Sequence, residues 1–137
     1  MRIVGIGTDI SETQRIARMI ERHGDVFLNR VYTAREIAYC QQRKASTEHY
    51  TGRWCAKEAV LKALGTGWSR GIRWRDLEIH NDLTGKPRIR MEGVAAEIAH
   101  QLGIDEILIS ISHCRTHATA YALAIGSQHS GTSPDSR

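Results

Sequence analysis

The segment RIVGIGTDI, residues 2–10, constrains the fold more than any other part of the sequence. Bulky apolar residues alternate in it with small or acidic ones, which predicts a β-strand with two unlike faces. The two faces carry Val4, Ile6 and Ile10 on one side and Gly5, Gly7 and Asp9 on the other. Because glycine has no side chain, the second face lets another part of the molecule approach the backbone beside Asp9. The third glycine of a dinucleotide-binding fingerprint is missing, so this segment does not predict that class of site.

Helical and strand patterns alternate along the rest of the chain. Two capping boxes, Ser11 with Gln14 and Thr33 with Glu36, predict helix starts, and Gly24 and Gly65 predict helix ends. Helices are expected from Ser11 to Gly24, from Thr33 towards Arg43 and Lys44, from Ser46 or Thr47 to Leu64, and over 93–103. Strands are expected at 76–80, 87–91, 106–112 and 118–125, the first two as a hairpin. This order favours an α+β fold with helices packed on a mostly antiparallel sheet.

The length of 137 residues fits one domain, which we place at 1–126. Residues 127–137 are polar and rich in glycine and serine, and we expect them to form a disordered tail. No apolar run approaches the roughly 20 residues of a membrane span, and the N-terminus has no secretory signal pattern. The three cysteines match no zinc or disulfide spacing, so we expect a cytoplasmic protein. The net charge of +4 favours an anionic partner.

Two acidic residues and one lysine are the candidates for chemistry. Glu58 and Lys62 lie four residues apart on the predicted third helix and therefore share a face. An isolated pair of this kind is more often a surface salt bridge, and a lone Asp9 beside a helix start is more often a capping or turn residue. Taken together, the three suggest a hard divalent cation held against a phosphate, because magnesium takes one or two carboxylates and completes its shell from water and substrate. Spacing alone leaves both interpretations open.

Three segments carry a resemblance to a known family. GIGTDISETQRI, GRWCAKEAVLKALGTG and ISISHCRTHATAYA resemble, in order and spacing, the signature regions of the bacterial holo-acyl-carrier-protein synthases, the short members of the 4′-phosphopantetheinyl transferase superfamily. The resemblance extends from about residue 3 to residue 125 and implies the fold of that superfamily. Trp54 stands where the family usually has phenylalanine.

The resemblance implies a reaction. Family members transfer the 4′-phosphopantetheine group of coenzyme A to a serine of an apo acyl carrier protein, release adenosine 3′,5′-bisphosphate and require Mg²⁺. It implies that Asp9 and Glu58 bind the metal, that Lys62 contacts phosphate, and that all three are catalytic. Glu58 would also take the serine proton, directly or through a water. Fatty acid biosynthesis is the expected pathway, with a polyketide or other specialised carrier as the alternative.

The resemblance also implies where coenzyme A binds. The residues carried over for this role are Arg53, Lys62, Gly65, His113 and Lys44. Outside the family context, a histidine that ends a strand is more often structural. Trp68 and Trp74 are expected in the core or at a subunit interface. Family members of this length assemble as homotrimers with active sites between subunits, so we expect a trimer.

The first predicted helix offers a surface for an acidic partner. Arg15, Arg18 and Arg22 fall at i, i+3 and i+7 along one stripe, while Ile16 and Ile20 supply the packed side. On a generic helix this is a solvated basic face. Here the helix follows Asp9 closely, and the resemblance matches Arg15 to a docking position for the acidic carrier protein.

Two other classes of protein fit parts of the sequence. A nucleic-acid-binding module would explain the positive charge, but aromatic residues are few, at 6%, and no stacking platform or recognition helix is evident, so we expect no nucleic-acid partner. Another metal-dependent enzyme, such as a phosphohydrolase, would use the same three residues and would cleave coenzyme A or nucleotides without a carrier protein.

Overall fold

The computed structural model describes residues 1–127, so the predicted tail lies outside the described residues except for Ser127. The strands are β1 (Arg2–Glu12), β2 (Leu77–Asn81), β3 (Pro87–Met91), β4 (Ile104–His113) and β5 (His117–Gly126). The helices are α1 (Thr13–His23), α2 (Asp25–Val31), α3 (Ala34–Gln41), α4 (Ser46–Leu64) and α5 (Gly93–Gln101). β1, β5 and β4 form an antiparallel sheet in that order, and β2 and β3 form an antiparallel hairpin. The predicted α+β class is confirmed.

The glycine face of β1 is covered by α4. A Cβ atom on Gly5 would overlap the carbonyl oxygen of Ala63, and one on Gly7 would overlap that of Ala59. The residues paired with these glycines on β5 are Ala124 and Ala122, which are also small and buried. The helix therefore lies directly on the sheet, backbone against backbone, because no side chain separates them. This close contact brings the middle of α4 next to the end of β1.

The end of β1 corrects one prediction. The strand continues through Ser11 and Glu12, and α1 begins after Glu12 without a side-chain cap. The predicted capping box of Ser11 with Gln14 is wrong, because Ser11 stays in the ladder opposite Ala118. Its hydroxyl instead donates to Asp9 Oδ2 at 3.0 Å, which helps to orient that carboxylate.

The outer face of the sheet is apolar and uncovered in the described chain. A register shift between Ile3 and Gly5 turns Val4 towards the core, so the expectation that Val4 shares a face with Ile6 and Ile10 is wrong. The large apolar residues that remain exposed on β1 and β5 are Ile3 (66%), Ile6 (68%), Ile10 (66%) and Tyr121 (58%).

The predicted helix ends are largely confirmed. Gly24 follows α1 and Gly65 follows α4, each with a positive φ. The backbone N–H of each glycine donates to a carbonyl oxygen in the last turn of the helix before it. The capping box of Thr33 and Glu36 is present at the start of α3. The prediction missed α2, because Gly24 both ends α1 and precedes this short helix, whose Phe27 and Val31 are buried.

α4 joins the two apolar cores. One cluster lies between the sheet, α4, α5 and the hairpin, and the other lies between α1, α2, α3 and the first half of α4. The buried residues of this helix include Trp54, Cys55, Ala59, Val60, Ala63 and Leu64, and also the charged residues Arg53 and Lys57. α4 is thus enclosed on nearly all sides and fixes the position of the polar residues it carries. Within the described part of the chain, no helix is both long and apolar enough to cross a bilayer.

Candidate active site

Asp9, Glu58 and Lys62 meet where α4 crosses the end of β1. Lys62 Nζ donates to the carbonyl oxygen of Thr8 at 2.9 Å and to Asp9 Oδ1 at 3.3 Å. The lysine side chain is 54% exposed and the aspartate side chain 16%. The spacing of Glu58 and Lys62 also allowed a surface salt bridge between them. Within residues 1–127, Lys62 pairs with Asp9 and forms no ion pair with Glu58. The lysine crosses to the strand instead, so the three residues form one group drawn from two elements.

The carboxylate of Glu58 lies in an unfavourable electrostatic environment. Burial raises the pKa of Glu58, and the negative charge of Asp9 raises it further. A hydrogen bond from Trp68 and the charges of Lys62 and Arg15 act in the opposite direction. The effect of the Asp9 charge on the Glu58 pKa places the two acidic groups within electrostatic reach of each other.

The donor set suits a magnesium ion completed by substrate. In residues 1–127 no group of three or more His, Cys, Asp or Glu side chains is placed to hold a metal by itself. Asp9 and Glu58 supply two hard oxygen donors, which is the number that Mg²⁺ commonly takes from a protein when phosphates and water fill the remaining positions. The residues present therefore fit the ion implied by the sequence.

A stack of three indoles lies beside Glu58. The ring of Trp74 packs on Trp54 with centroids 4.3 Å apart and on Trp68 with centroids 3.7 Å apart. Trp68 Nε1–H donates to Glu58 Oε1 at 3.3 Å. We expected Trp68 and Trp74 in the core or at an interface, and both are partly buried against the two clusters. The contact of Trp68 with Glu58 was missed, because ten residues and a turn separate them and no local pattern encodes it.

Arg53 faces a second polar region. It is 4% exposed, donates to Asn81 Oδ1 at 2.8 Å, and lies with Cζ 3.9 Å from the ring centroid of Tyr39. Arg43 lies on the same ring at 3.4 Å. Within the described residues Arg53 Nε is buried without a hydrogen-bond partner. A cavity of about 480 Å³ opens here, with Arg35 and His80 also in its wall. Asp82 also lines the cavity, but the three arginines outnumber it and fit an anionic ligand.

The residues predicted to bind coenzyme A fall into two groups. His113 Nδ1 lies 3.1 Å from Glu48 Oε1 near the start of α4, and exposed Lys44 lies in the turn before that helix. The His113 ring lies 5.0 Å from the ring of His49, which itself contacts Tyr39 beside Arg53, and Lys44 follows Arg43 in the sequence. Lys62 and Gly65 lie at the other end of α4, beside Asp9 and Glu58. Arg53 and Lys62 are separated by about 13 Å along the helix axis. One chain therefore does not bring the predicted set together at a single point.

The three arginines of α1 are exposed as predicted. Ile16 is fully buried on the opposite side, and Met19 and Ile20 pack against the same cluster. The guanidinium of Arg15 lies 5.6 Å from the ring centroid of Trp54, and its charge acts on Glu58. The basic stripe thus begins at the edge of the carboxylate site.

Comparison with known proteins identifies the family. The family model described as the 4′-phosphopantetheinyl transferase superfamily matches residues 5–126. The chain belongs to this superfamily, which confirms the family predicted from the motifs. It is 47% identical over 121 residues to a holo-[acyl-carrier-protein] synthase of Solibacter usitatus, covering 88% of this chain and 97% of that protein. It is 48% identical over 120 residues to one of Protochlamydia amoebophila, covering 88% and 96%.

Solved structures of the same family share the fold. The holo-[acyl-carrier-protein] synthase of Neisseria meningitidis superimposes with a TM-score of 0.84 at 31% identity, covering 90% of this chain and 99% of that one. The synthase of Bacillus anthracis, solved in complex with CoA (3′,5′-ADP), gives a TM-score of 0.76 at 35% identity, covering 91% and 98%. The predicted fold is therefore confirmed at the level of the whole described chain.

Proposed function

We propose that the protein transfers the 4′-phosphopantetheine group of coenzyme A to a serine of an apo acyl carrier protein and releases adenosine 3′,5′-bisphosphate. The observation that carries the proposal is the junction of Asp9, Glu58 and Lys62 where α4 lies on the glycine face of β1. The named activity of relatives at 47% and 48% identity supports it. So does the coenzyme A bound to the Bacillus anthracis structure.

In this proposal the two carboxylates bind the metal and the lysine binds phosphate. Asp9 and Glu58 would hold Mg²⁺, which neutralises the charge on the phosphate oxygens as the reaction proceeds. Lys62, exposed and already turned towards Asp9, supplies a positive charge for the pyrophosphate of coenzyme A. The serine oxygen attacks the β-phosphorus, the bond from that phosphorus to the oxygen of the adenosine bisphosphate breaks, and the serine proton passes to Glu58. Burial raises the pKa of Glu58, whereas a bound Mg²⁺ would lower it, so the proton would pass to Glu58 directly or through a metal-bound water.

The nucleotide of coenzyme A has a different binding region in our proposal. Arg53, with its buried unpartnered Nε, would bind a phosphate of the nucleotide, together with Lys44 and His113. Gly65 would let the arm approach the backbone at the end of α4. Since Arg53 and Lys62 face different regions of one chain, we propose that the complete site forms between subunits of a homotrimer. The exposed apolar face of β1 and β5 supports this assembly.

The acidic carrier protein would dock on α1. Arg15, Arg18 and Arg22 form an exposed basic stripe that begins beside the carboxylate site. A carboxylate-rich helix on this stripe would bring its serine to Glu58, and long-range attraction would speed the encounter. We place the reaction in the cytoplasm, a compartment that suits the free thiols of all three cysteines. The pathway that we propose is fatty acid biosynthesis, as the resemblance implies.

Intact-mass analysis of a purified apo carrier protein tests the proposed reaction. Incubation with this protein, coenzyme A and Mg²⁺ should add one phosphopantetheine group to the carrier, and a chelator should prevent the addition. Asp9→Asn and Glu58→Gln keep the side-chain shape and remove a ligand charge, so each should abolish transfer without unfolding the protein. Glu97→Gln, an exposed carboxylate on α5, is the matched control and should transfer normally. Full activity of Glu58→Gln, or cleavage of coenzyme A without a carrier, would contradict the proposal.

A further inference from the structure

The loop after α4 returns to the helix and places an indole on the candidate metal ligand. Trp68 lies ten residues after Glu58, and its Nε1–H donates to Glu58 Oε1 at 3.3 Å. Within residues 1–127 the Glu58 carboxylate accepts no other side-chain hydrogen bond, and this one reaches only Oε1. Oε2 is left for another ligand.

The position of this indole is set by the core. Trp68 packs on Trp74, whose carbonyl oxygen accepts a hydrogen bond from Lys57 Nζ at 3.2 Å. Lys57 is fully buried, precedes Glu58 in the sequence and forms an ion pair with Glu36 at 2.7 Å. The backbone of Trp74 is therefore tied to the same turn of α4 that carries Glu58. The indole and the carboxylate that it contacts are held by one set of core contacts.

We propose that Trp68 is a positioning residue, which fixes the plane of the Glu58 carboxylate so that its free oxygen and Asp9 face the same cation. A glutamate side chain has three rotatable bonds, and a donor on one oxygen removes the freedom of the last of them. This inference rests on the proposed function, because it assigns a role towards the metal that the function requires.

A purely structural role makes a different prediction for the same residue. If Trp68 only filled space between the two clusters, phenylalanine would replace it without effect on Glu58, since the ring stack would remain. If the N–H group is what matters, phenylalanine keeps the stack and loses the function. The exchange of Trp68 for Phe therefore separates the two roles.

Direct metal binding is the main test. Mn²⁺ binding in the presence of coenzyme A is measured by electron paramagnetic resonance for the parent protein, Trp68→Phe and Trp54→Phe. Removal of a hydrogen bond to a metal ligand typically weakens metal binding 10- to 100-fold, so we expect Trp68→Phe to bind Mn²⁺ about tenfold more weakly. Trp54→Phe makes the same exchange at the other end of the stack and should leave the affinity unchanged. Equal affinities for all three proteins would overturn the proposal.

The indole N–H resonances give a second test, in which all three tryptophans are kept. Addition of Mg²⁺ with coenzyme A should shift the Trp68 indole signal in a ¹H–¹⁵N spectrum more than the Trp54 signal, and Glu58→Gln should remove that shift. An unmoved Trp68 signal would contradict the proposal even if Trp68→Phe failed to fold. The two proposals fail in different experiments. If the proposed function is wrong, the parent protein adds no phosphopantetheine mass to the carrier protein. If only the role of Trp68 is wrong, the parent protein adds that mass and Trp68→Phe binds Mn²⁺ as tightly as the parent does.

Discussion

The buried ion pair of Lys57 and Glu36 shows how single residues prepare the site. Both side chains are fully buried, and burial lowers the pKa of Lys57 while the charge of Glu36 raises it. Lys57 Nζ also donates to the carbonyl oxygens of Val31 and Trp74, and Glu36 Oε2 accepts from the backbone N–H of Ile79. The pair thus satisfies polar groups from several elements around α4. The strongest consequence of losing one partner is an uncompensated charge in the core.

We predict that Lys57→Met lowers the free energy of unfolding by about 3–5 kcal/mol, because Glu36 is left charged and buried. The double variant Lys57→Met with Glu36→Gln should lose less than the sum of the two single variants, since the two residues are coupled. Urea denaturation monitored by tryptophan fluorescence measures both. Lys62→Met is the control on the same helix, and its half-exposed ion pair should contribute about 1 kcal/mol or less. Additive losses in the double variant would show that the pair is not coupled.

At the scale of the element, α1 combines packing and recognition on opposite sides. Its buried side holds Ile16 against the second cluster, while Arg15, Arg18 and Arg22 remain in solvent. Since these arginines bury little surface, charge reversal there should change recognition and leave the fold intact. The helix also follows β1 directly, so its first turn stays close to Asp9.

We predict that Arg15→Glu with Arg22→Glu raises the apparent KM for the carrier protein at least about tenfold at low salt, because attraction of an acidic partner becomes repulsion. The KM for coenzyme A should change little. Added salt should reduce the difference between the two KM values for the carrier protein, because it screens charges on the surface. Lys86→Glu with Arg88→Glu makes the same change in net charge on the hairpin and serves as the control. A similar loss for both substrates would mean that α1 is not the docking surface.

At the scale of the whole molecule, two features favour an assembly of several subunits. One face of the sheet is uncovered in residues 1–127, and the candidate coenzyme A residues lie at the two ends of α4. α4 covers one face of the sheet, and Ile6 and Ile10 on the other face are 68% and 66% exposed. An apolar surface of this kind on a small protein commonly marks an interface. If each site is completed by a neighbouring subunit, the coenzyme A residues at one end of α4 would meet those at the other end of the neighbour's α4. The interface would then explain both the uncovered face and the separated residues.

We predict that Ile6→Lys dissociates the assembly, because it places a charge in an apolar interface. Size-exclusion chromatography with light scattering should show a trimer for the parent protein and a monomer for the variant, with loss of transfer activity in parallel. Val26→Lys makes the same kind of exchange at a residue that is 76% exposed on α2, and it should leave the mass of the assembly unchanged. A monomeric parent protein that is fully active would contradict both the trimer and the shared site.

The sequence by itself determined the elements that local chemistry encodes. Glycine periodicity predicted the bare face of β1, and the capping box at Thr33 and the glycine at Gly65 predicted two helix boundaries, because caps and turns depend on a few neighbouring residues. The family and the fold followed from three motifs whose order and spacing are specific. The candidates Asp9, Glu58 and Lys62 were also visible, since their residue types suit a metal and a phosphate.

Tertiary structure alone decided which of these residues touch. Lys62 bonds to Asp9 across the helix–strand contact rather than to Glu58 one turn away, because the missing side chains of Gly5 and Gly7 bring the whole helix onto β1. Ser11 was predicted to cap a helix, but pairing with β5 keeps it in the strand. Trp68 reaches Glu58 through a returning loop. Such contacts join residues far apart in the chain, and their geometry depends on packing of the complete core, which no short segment encodes.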